Sequence, residues 1–299
     1  MASLSRRHCL LAAAAALVLF LPPLYFFKVA HQAATGEPVQ VLTQYLKAIY
    51  ARDFPEAYRF ISLQDQALKK RAVYVRERGP FSGFALEVAR KLADSIQVRP
   101  VQERLDEEGH TRIRLAYRLP DANAVAPLIF DWDEERLGSV SNAERRKILD
   151  SLDRVIRTGG LKIIEGEEEF VMVKESTGWK VLLDWATGIQ VRFDTVVPNN
   201  HLIEARPTIP ETVARSGELF TIGYRVKNRT SRDILARIVH HVEPPFLIEH
   251  LDLVECALLL PVRLAPGEEQ TYDSTYLIRG DLPDGAKEIN VTYEFKVEH

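Results

Sequence analysis

The chain has 299 residues, enough for a terminal anchor and two domains of ordinary size. Its 46% hydrophobic and 27% charged content fits packed domains and excludes wholesale disorder, while a net charge of −3 leaves no electrostatic footprint for nucleic acid. Two cysteines, Cys9 and Cys256, exclude a disulfide framework and an all-thiolate zinc site within one chain.

Arg6, Arg7 and His8 precede an uncharged run of nineteen residues, Cys9 to Phe27, rich in Leu, Ala and Phe. About 20 apolar residues span a bilayer core as a helix, and basic residues ahead of it favour a cytoplasmic N-terminus. Pro22 and Pro23 end or kink the helix near its outer edge, where Tyr25 suits the interface. A cleaved export peptide is the rival reading, and Ser5-Arg6-Arg7 resembles a weak twin-arginine signal. No clean small-x-small site follows, because cleavage after Ala30 or Ala33 puts Lys28 or His31 at the third position back from the cut. The sequence therefore predicts a cytoplasmic end at 1–8, a single span at 9–27 of the cytoplasmic membrane, a tether at 28–37, and an exported, periplasmic remainder.

From Pro38 the pattern turns helical, with Val41, Leu42, Tyr45, Leu46, Ile49 and Tyr50 forming one apolar stripe. Asp53-Phe54-Pro55 breaks it, and a shorter helix begins at Ala57. A third helical stretch is expected between Gln64 and Val75, closed by Gly79-Pro80, and a fourth from Leu86 to Ile96. Thr111 to Leu119 alternates as a strand, with Ile113, Leu115 and Tyr117 on one face. Ser141 is a good N-cap for a helix to Thr158, stopped by Gly159-Gly160. Phe170 to Lys174 and Trp179 to Leu183 read as a hairpin about Glu-Ser-Thr-Gly. Helices followed by such a hairpin, with the phrase YLKAIYARDFPEAYRFIS at 45–62, resemble the cone-shaped nuclear-transport-factor-2-like superfamily. That resemblance implies an α+β domain over 38–187.

A boundary is expected between Asp184 and Gly188. Beyond it, about seven short β-runs alternate with Pro, Gly and Asn turns, as in an antiparallel sandwich. Phe220, Ile222, Tyr224 and Val226 alternate in one run; Ile289, Val291, Tyr293, Phe295 and Val297 do so in the last. In order, the segment carries Val-Arg-Phe-Asp (191–194), Glu-Ala-Arg-Pro (204–207), Tyr-Arg-Val-Lys-Asn (224–228) and Val-Glu-Pro (242–244). Glu-Cys-Ala-Leu (255–258), Leu-Ala-Pro-Gly-Glu (264–268) and Val-Thr-Tyr-Glu-Phe (291–295) follow. This order resembles the exported domain of the copper-delivering cytochrome c oxidase assembly proteins of the CtaG type. The resemblance implies an immunoglobulin-like all-β sandwich over 188–299. That family's metal motif is Cys-Phe-Cys-Phe, shortly before a Leu-x-Pro-Gly-Glu turn. Counting back from Leu264 places its first cysteine on Cys256 and its second on Leu258.

Cys256 is thus the candidate metal ligand. A thiolate is a soft donor suited to Cu(I), and two suffice for a linear ion. Two residues one apart in a strand share a face only through a loop or bulge, so a second chain meeting at Cys256 is the other source of a second thiolate. The bland alternative is an inert cysteine packed as a small hydrophobe among Val254, Ala257, Leu258, Leu259 and Leu260. Cys9 sits at the cytoplasmic end of the apolar run, across the membrane from Cys256. Adjacent His240 and His241 point to opposite faces of a strand and cannot chelate one ion together; His250 would need the loop to fold back to reach Cys256. The family has Tyr-Asn at the histidine pair, so these are not inherited ligands. The acidic runs at Asp131, Asp133, Glu134 and Glu135, and at Glu165 and Glu167 to Glu169, read as solvated faces. No phosphate loop, nucleophile elbow or Cys-x-x-Cys pair is present, and no catalytic residue is assigned.

With the membrane segment read above, the resemblance to the CtaG type implies a non-enzymatic, membrane-anchored assembly factor for a haem-copper oxidase. It would present Cu(I) through Cys256 in a homodimer to the catalytic subunit. A metal-free scaffold of a membrane respiratory complex is the alternative, and a small-molecule binder or enzyme using a cone pocket is a third.

Overall fold

The computed structural model describes residues 38–122, 124, 139–198, 202–280, 282–283 and 285–298. The predicted span at 9–27 and the acidic run at 131–135 lie outside the described residues. Among those described, no helix is long and apolar enough to cross a membrane.

Helix α1 (Pro38–Tyr50) buries Val41, Leu42 and Tyr45 of the predicted stripe together with Ala48, while Leu46, Ile49 and Tyr50 are half-buried. Asp53 caps the short α2 (Phe54–Ala57), accepting from the Glu56 amide, and is clasped by Arg90 of α5 (Gly83–Ala93). The single helix expected between Gln64 and Val75 is two, α3 (Leu63–Leu68) and α4 (Arg71–Arg78). Lys69 between them is extended and its side chain is fully buried, turned toward carboxylates that a continuous helix gives no reason to expect. Gly79 ends α4 with φ of 59°, the left-handed conformation of a helix C-terminus.

Strands β1 (Gln97–Leu105), β2 (Thr111–Pro120), β3 (Ile163–Glu175) and β4 (Gly178–Leu182) form one antiparallel sheet in sequential order. β1 went unread in the sequence because it is an edge strand exposed along nearly its whole length, so no alternation marks it. β3 begins seven residues earlier than expected, at Ile163 rather than Phe170. Its glutamates meet β2 arginines across the strands: Glu165 meets its register partner Arg118 at 2.8 Å, and Glu169, opposite Arg114, reaches diagonally to Arg112 at 3.5 Å. Helix α6 (Asn142–Arg157) starts at Ser141 with a complete capping box to Glu144, as its sequence predicts. It buries Ile148 and Leu152 against Phe84, Val88 and Leu92 of α5.

The C-terminal part is a sandwich of two sheets. One holds β10 (Leu251–Cys256), β12 (Glu269–Ile278), β8 (Leu219–Asn228) and β6 (Ile203–Pro207) in that order. The other holds β11 (Val262–Leu264), β9 (Ile234–Glu243), β13 (Glu288–Glu298), β5 (Ile189–Val196) and β7 (Glu211–Ala214). β13 runs parallel to β5 and antiparallel to β9. The alternation read at 220–226 and 289–295 falls on the inner faces: Phe220, Ile222, Tyr224, Val226, Ile289, Val291, Tyr293 and Phe295 are all buried.

A short 3-10 turn, Trp185–Thr187, leads from β4 into β5. It is held by buried Asp65, whose carboxylate accepts from the Leu183, Asp184 and Trp185 amides and from the Ser62 hydroxyl. Beside it lies a buried charge cluster. Lys69 Nζ is 2.6 Å from Glu77 and 3.1 Å from Glu218, and it sits 4.5 Å from the Trp185 ring centre. Arg78 also reaches Glu218, Trp185 donates its indole N–H to Glu218, and Thr212 donates to Glu77. Charges removed from water require such pairing. This cluster joins α4 and Lys69 to the β7–β8 end of the sandwich.

Candidate metal centre at the sandwich edge

Cys256 is the last residue of β10, an edge strand whose pairing with β12 is interrupted by a bulge between Leu253 and Glu255. The chain then turns through a 3-10 segment, Ala257–Leu259, before β11. This turn is the departure from strand geometry that the motif spacing required. It does not bring positions 256 and 258 together at the surface. Leu258 is 2% exposed and belongs to the sandwich core, whereas Leu259 and Leu260 are 71% and 75% exposed. Cys256 is half-buried and makes no disulfide.

The thiol does not sit in a purely apolar setting, despite its sequence neighbours. Cys256 Sγ lies 3.2 Å from Ser274 Oγ and 3.3 Å from Tyr293 Oη. Ser274 and Tyr293 are themselves 3.2 Å apart, and the Tyr276 hydroxyl donates to Tyr293 at 3.1 Å. Tyr224 packs edge-on against Tyr293 with ring centres 4.5 Å apart. Burial pushes the phenols of Tyr224, Tyr276 and Tyr293 far up, so they stay neutral. These residues come from β8, β12 and β13, and form a hydroxyl cluster inside an otherwise apolar core.

His240 closes this cluster from β9. Its register partner on β13 is Tyr293, and its ring centre lies 5.0 Å from that of Tyr293 and 6.1 Å from that of Tyr276. Its Nε2 is buried and has no hydrogen-bond partner. Burial, then the neighbouring His241, lowers its pKa below the usual histidine value, which favours the neutral ring. His241 faces the other way, as strand geometry predicted, and lies 3.1 Å from Glu294 at the surface. His250 does not fold back: residues 251–256 run as a strand, and six residues of strand span about 20 Å. Cys9 lies outside the described residues.

Sequence reasoning found Cys256 but missed Ser274, Tyr276 and the role of Tyr293 and Tyr224. The available signal was the tyrosine on the inward register of each of three strands, since a buried phenol normally needs a partner. Elsewhere, Asp106, Glu108 and His110 on the β1–β2 turn bring their donor atoms within 4.8 Å of one another. Asp106 there is already held by Arg112 and by the Glu108 and His110 amides. A groove of 730 Å³ along β1–β3 is lined by Tyr117, Arg118, Glu165 and Glu167, and Glu165 is paired with Arg118. Neither offers soft ligands.

Residues 163–296 match the family model described as cytochrome c oxidase assembly protein CtaG/Cox11. The matched part is just under half of the chain. It starts at β3, ahead of the boundary expected at 188, and includes the whole Cys256 neighbourhood. A comparison with curated proteins finds no match. Among solved structures the chain is similar to Escherichia coli alpha-2-macroglobulin activated by porcine elastase. The identity is 9%, over 68% of this chain and 22% of that one, with a TM-score of 0.23. The chain thus spans about a fifth of that protein's length, and at this score the likeness carries no inference.

Proposed function

We propose that the chain is an assembly factor for a haem-copper (cytochrome c) oxidase, and that it handles Cu(I) at Cys256. The match of residues 163–296 to the CtaG/Cox11 family carries this reading. The donor set fits the cargo in part: Cys256 is a soft ligand at an accessible edge, while serine and tyrosine hydroxyls are poor donors for Cu(I). A second soft or borderline ligand is required. A homodimer meeting at Cys256 supplies one, and a donor within the same chain is the other source.

Membrane anchoring through 9–27 and a periplasmic location of the remainder belong to the same proposal. The partner is the catalytic subunit of a membrane oxidase. Residues 38–187 act as a cone-type module that positions the sandwich, with no catalytic role for the chain. The exposed Leu259 and Leu260, next to the half-buried thiol, suit the rim of a partner-facing surface.

A metal-free scaffold is the second reading. It is favoured by one observation, the burial of Leu258 where the family resemblance expects the second cysteine. The two are separated by Cu(I) stoichiometry on the detergent-purified full chain under reducing conditions, wild type against Cys256→Ser. Copper bound by the wild type and lost in the variant supports copper handling; no Cys256-dependent binding leaves the scaffold.

A further inference from the structure

We infer that His240 is the second Cu(I) ligand, so that one chain builds a cysteine–histidine site inside the end of its own sandwich. This rests on the copper reading of Cys256 and names the ligand that reading lacks.

The observations are independent of the family pattern. His240 Nε2 is a buried nitrogen with no hydrogen-bond partner, an expensive condition for a polar atom unless something occupies it. Its ring is on the same side of β9 as the core, and both it and Cys256 bear on one residue. Tyr293 stands beside His240 in register on β13 and meets Cys256 with its hydroxyl. Tyr224, a fully buried side chain, packs on the same Tyr293 ring. An unpartnered imidazole nitrogen thus stands beside the tyrosine that contacts the thiol. A core built only for packing would fill this position with apolar atoms.

The donor chemistry is consistent. Imidazole is a good nitrogen ligand for copper, and a thiolate with one imidazole satisfies the low coordination number of Cu(I). Leu258 cannot serve, because it packs in the core and carries no donor. His241 and His250 are directed elsewhere, the first to Glu294 and the second to the far end of β10.

The test uses Cu(I) added to the full chain under reducing conditions, with stoichiometry, affinity against a chromophoric Cu(I) chelator, and X-ray absorption at the copper edge. One ion per chain is expected, with one sulfur and one nitrogen in the copper shell. His240→Ala should weaken binding at least tenfold, while Cys256→Ser abolishes it. The wild-type spectrum decides the matter even where the His240 variant folds poorly. A two-sulfur shell at one ion per two chains overturns the role of His240 and leaves the copper reading standing. Unchanged affinity in a folded His240→Ala does the same. Absence of any Cys256-dependent copper overturns both.

Discussion

The thiol of Cys256 and the hydroxyl of Tyr293 lie 3.3 Å apart although their strands belong to opposite sheets of the sandwich. The contact ties the exposed end of an edge strand to the polar centre of the core. Tyr293 also contacts Ser274 and Tyr276, so its hydroxyl is shared among three neighbours.

Tyr293→Phe removes that hydroxyl while keeping the ring. Ser274 and Tyr276 then lose a buried partner, at a cost of about 1–3 kcal/mol. A urea titration should show this loss, with faster modification of Cys256 by a thiol reagent as the end of β10 loosens. Unchanged stability and unchanged thiol reactivity would mean the cluster is not formed.

Lys69 is the sharper test of how the helices are joined to the sandwich. Its ammonium is fully buried between Glu77 and Glu218. Lys69→Met leaves Glu77 without its cation and should cost about 3–5 kcal/mol. Lys69→Met combined with Glu77→Leu removes both charges and should recover much of that loss, while Glu218 keeps Arg78. A double variant no better than the single one would show that the pair is not coupled.

The same cluster sets a pH dependence. Burial acts to raise the Glu218 pKa, but Lys69 and Arg78 more than reverse it, so it lies below the ordinary 4.5. A depressed carboxyl contributes stability that is present above its unfolded pKa and lost as pH falls through its folded value. The deficit of Glu218→Gln against wild type should therefore be larger at pH 7 than at pH 3.5. Glu77 has the opposite sign: burial raises its pKa above 4.5 against the pull of Lys69. Its contribution is present below 4.5 and declines as pH rises through its folded value. The deficit of Glu77→Gln should accordingly shrink from pH 3.5 to pH 7. Denaturant midpoints at the two pH values read both, and parallel pH curves for the two variants would contradict the assignment.

Much of this fold was legible because periodicity reports burial. The stripe of α1 and the alternation of β8 and β13 each have one face in a core, and each was read from spacing alone. β1 and the first half of β3 were not, because they are exposed and charged and carry no apolar alternation that reports burial. The break at Lys69 was hidden for a different reason. A buried lysine looks like a surface one until its partners at Glu77 and Glu218 are brought in from other elements. The site divides in the same way. Cys256 is marked by its own chemistry, whereas Ser274, Tyr276, Tyr293 and His240 gain meaning only from sheet register and sandwich closure.

Leu258 and Leu259 are neighbours with opposite fates, and they separate structure from function at the motif. Leu258 is 2% exposed within the sandwich core, so Leu258→Ala should cost about 2–5 kcal/mol from lost burial and the cavity left behind. Leu259 is 71% exposed, and Leu259→Ala should stay within about 0.5 kcal/mol. If the exposed leucine serves a partner, Leu259→Ala instead impairs oxidase assembly in cells at unchanged stability, a split that Leu258→Ala cannot produce. Equal and small effects of both substitutions on stability would show that the turn after Cys256 is not anchored by Leu258. The second motif position would then be free to face a partner rather than the core.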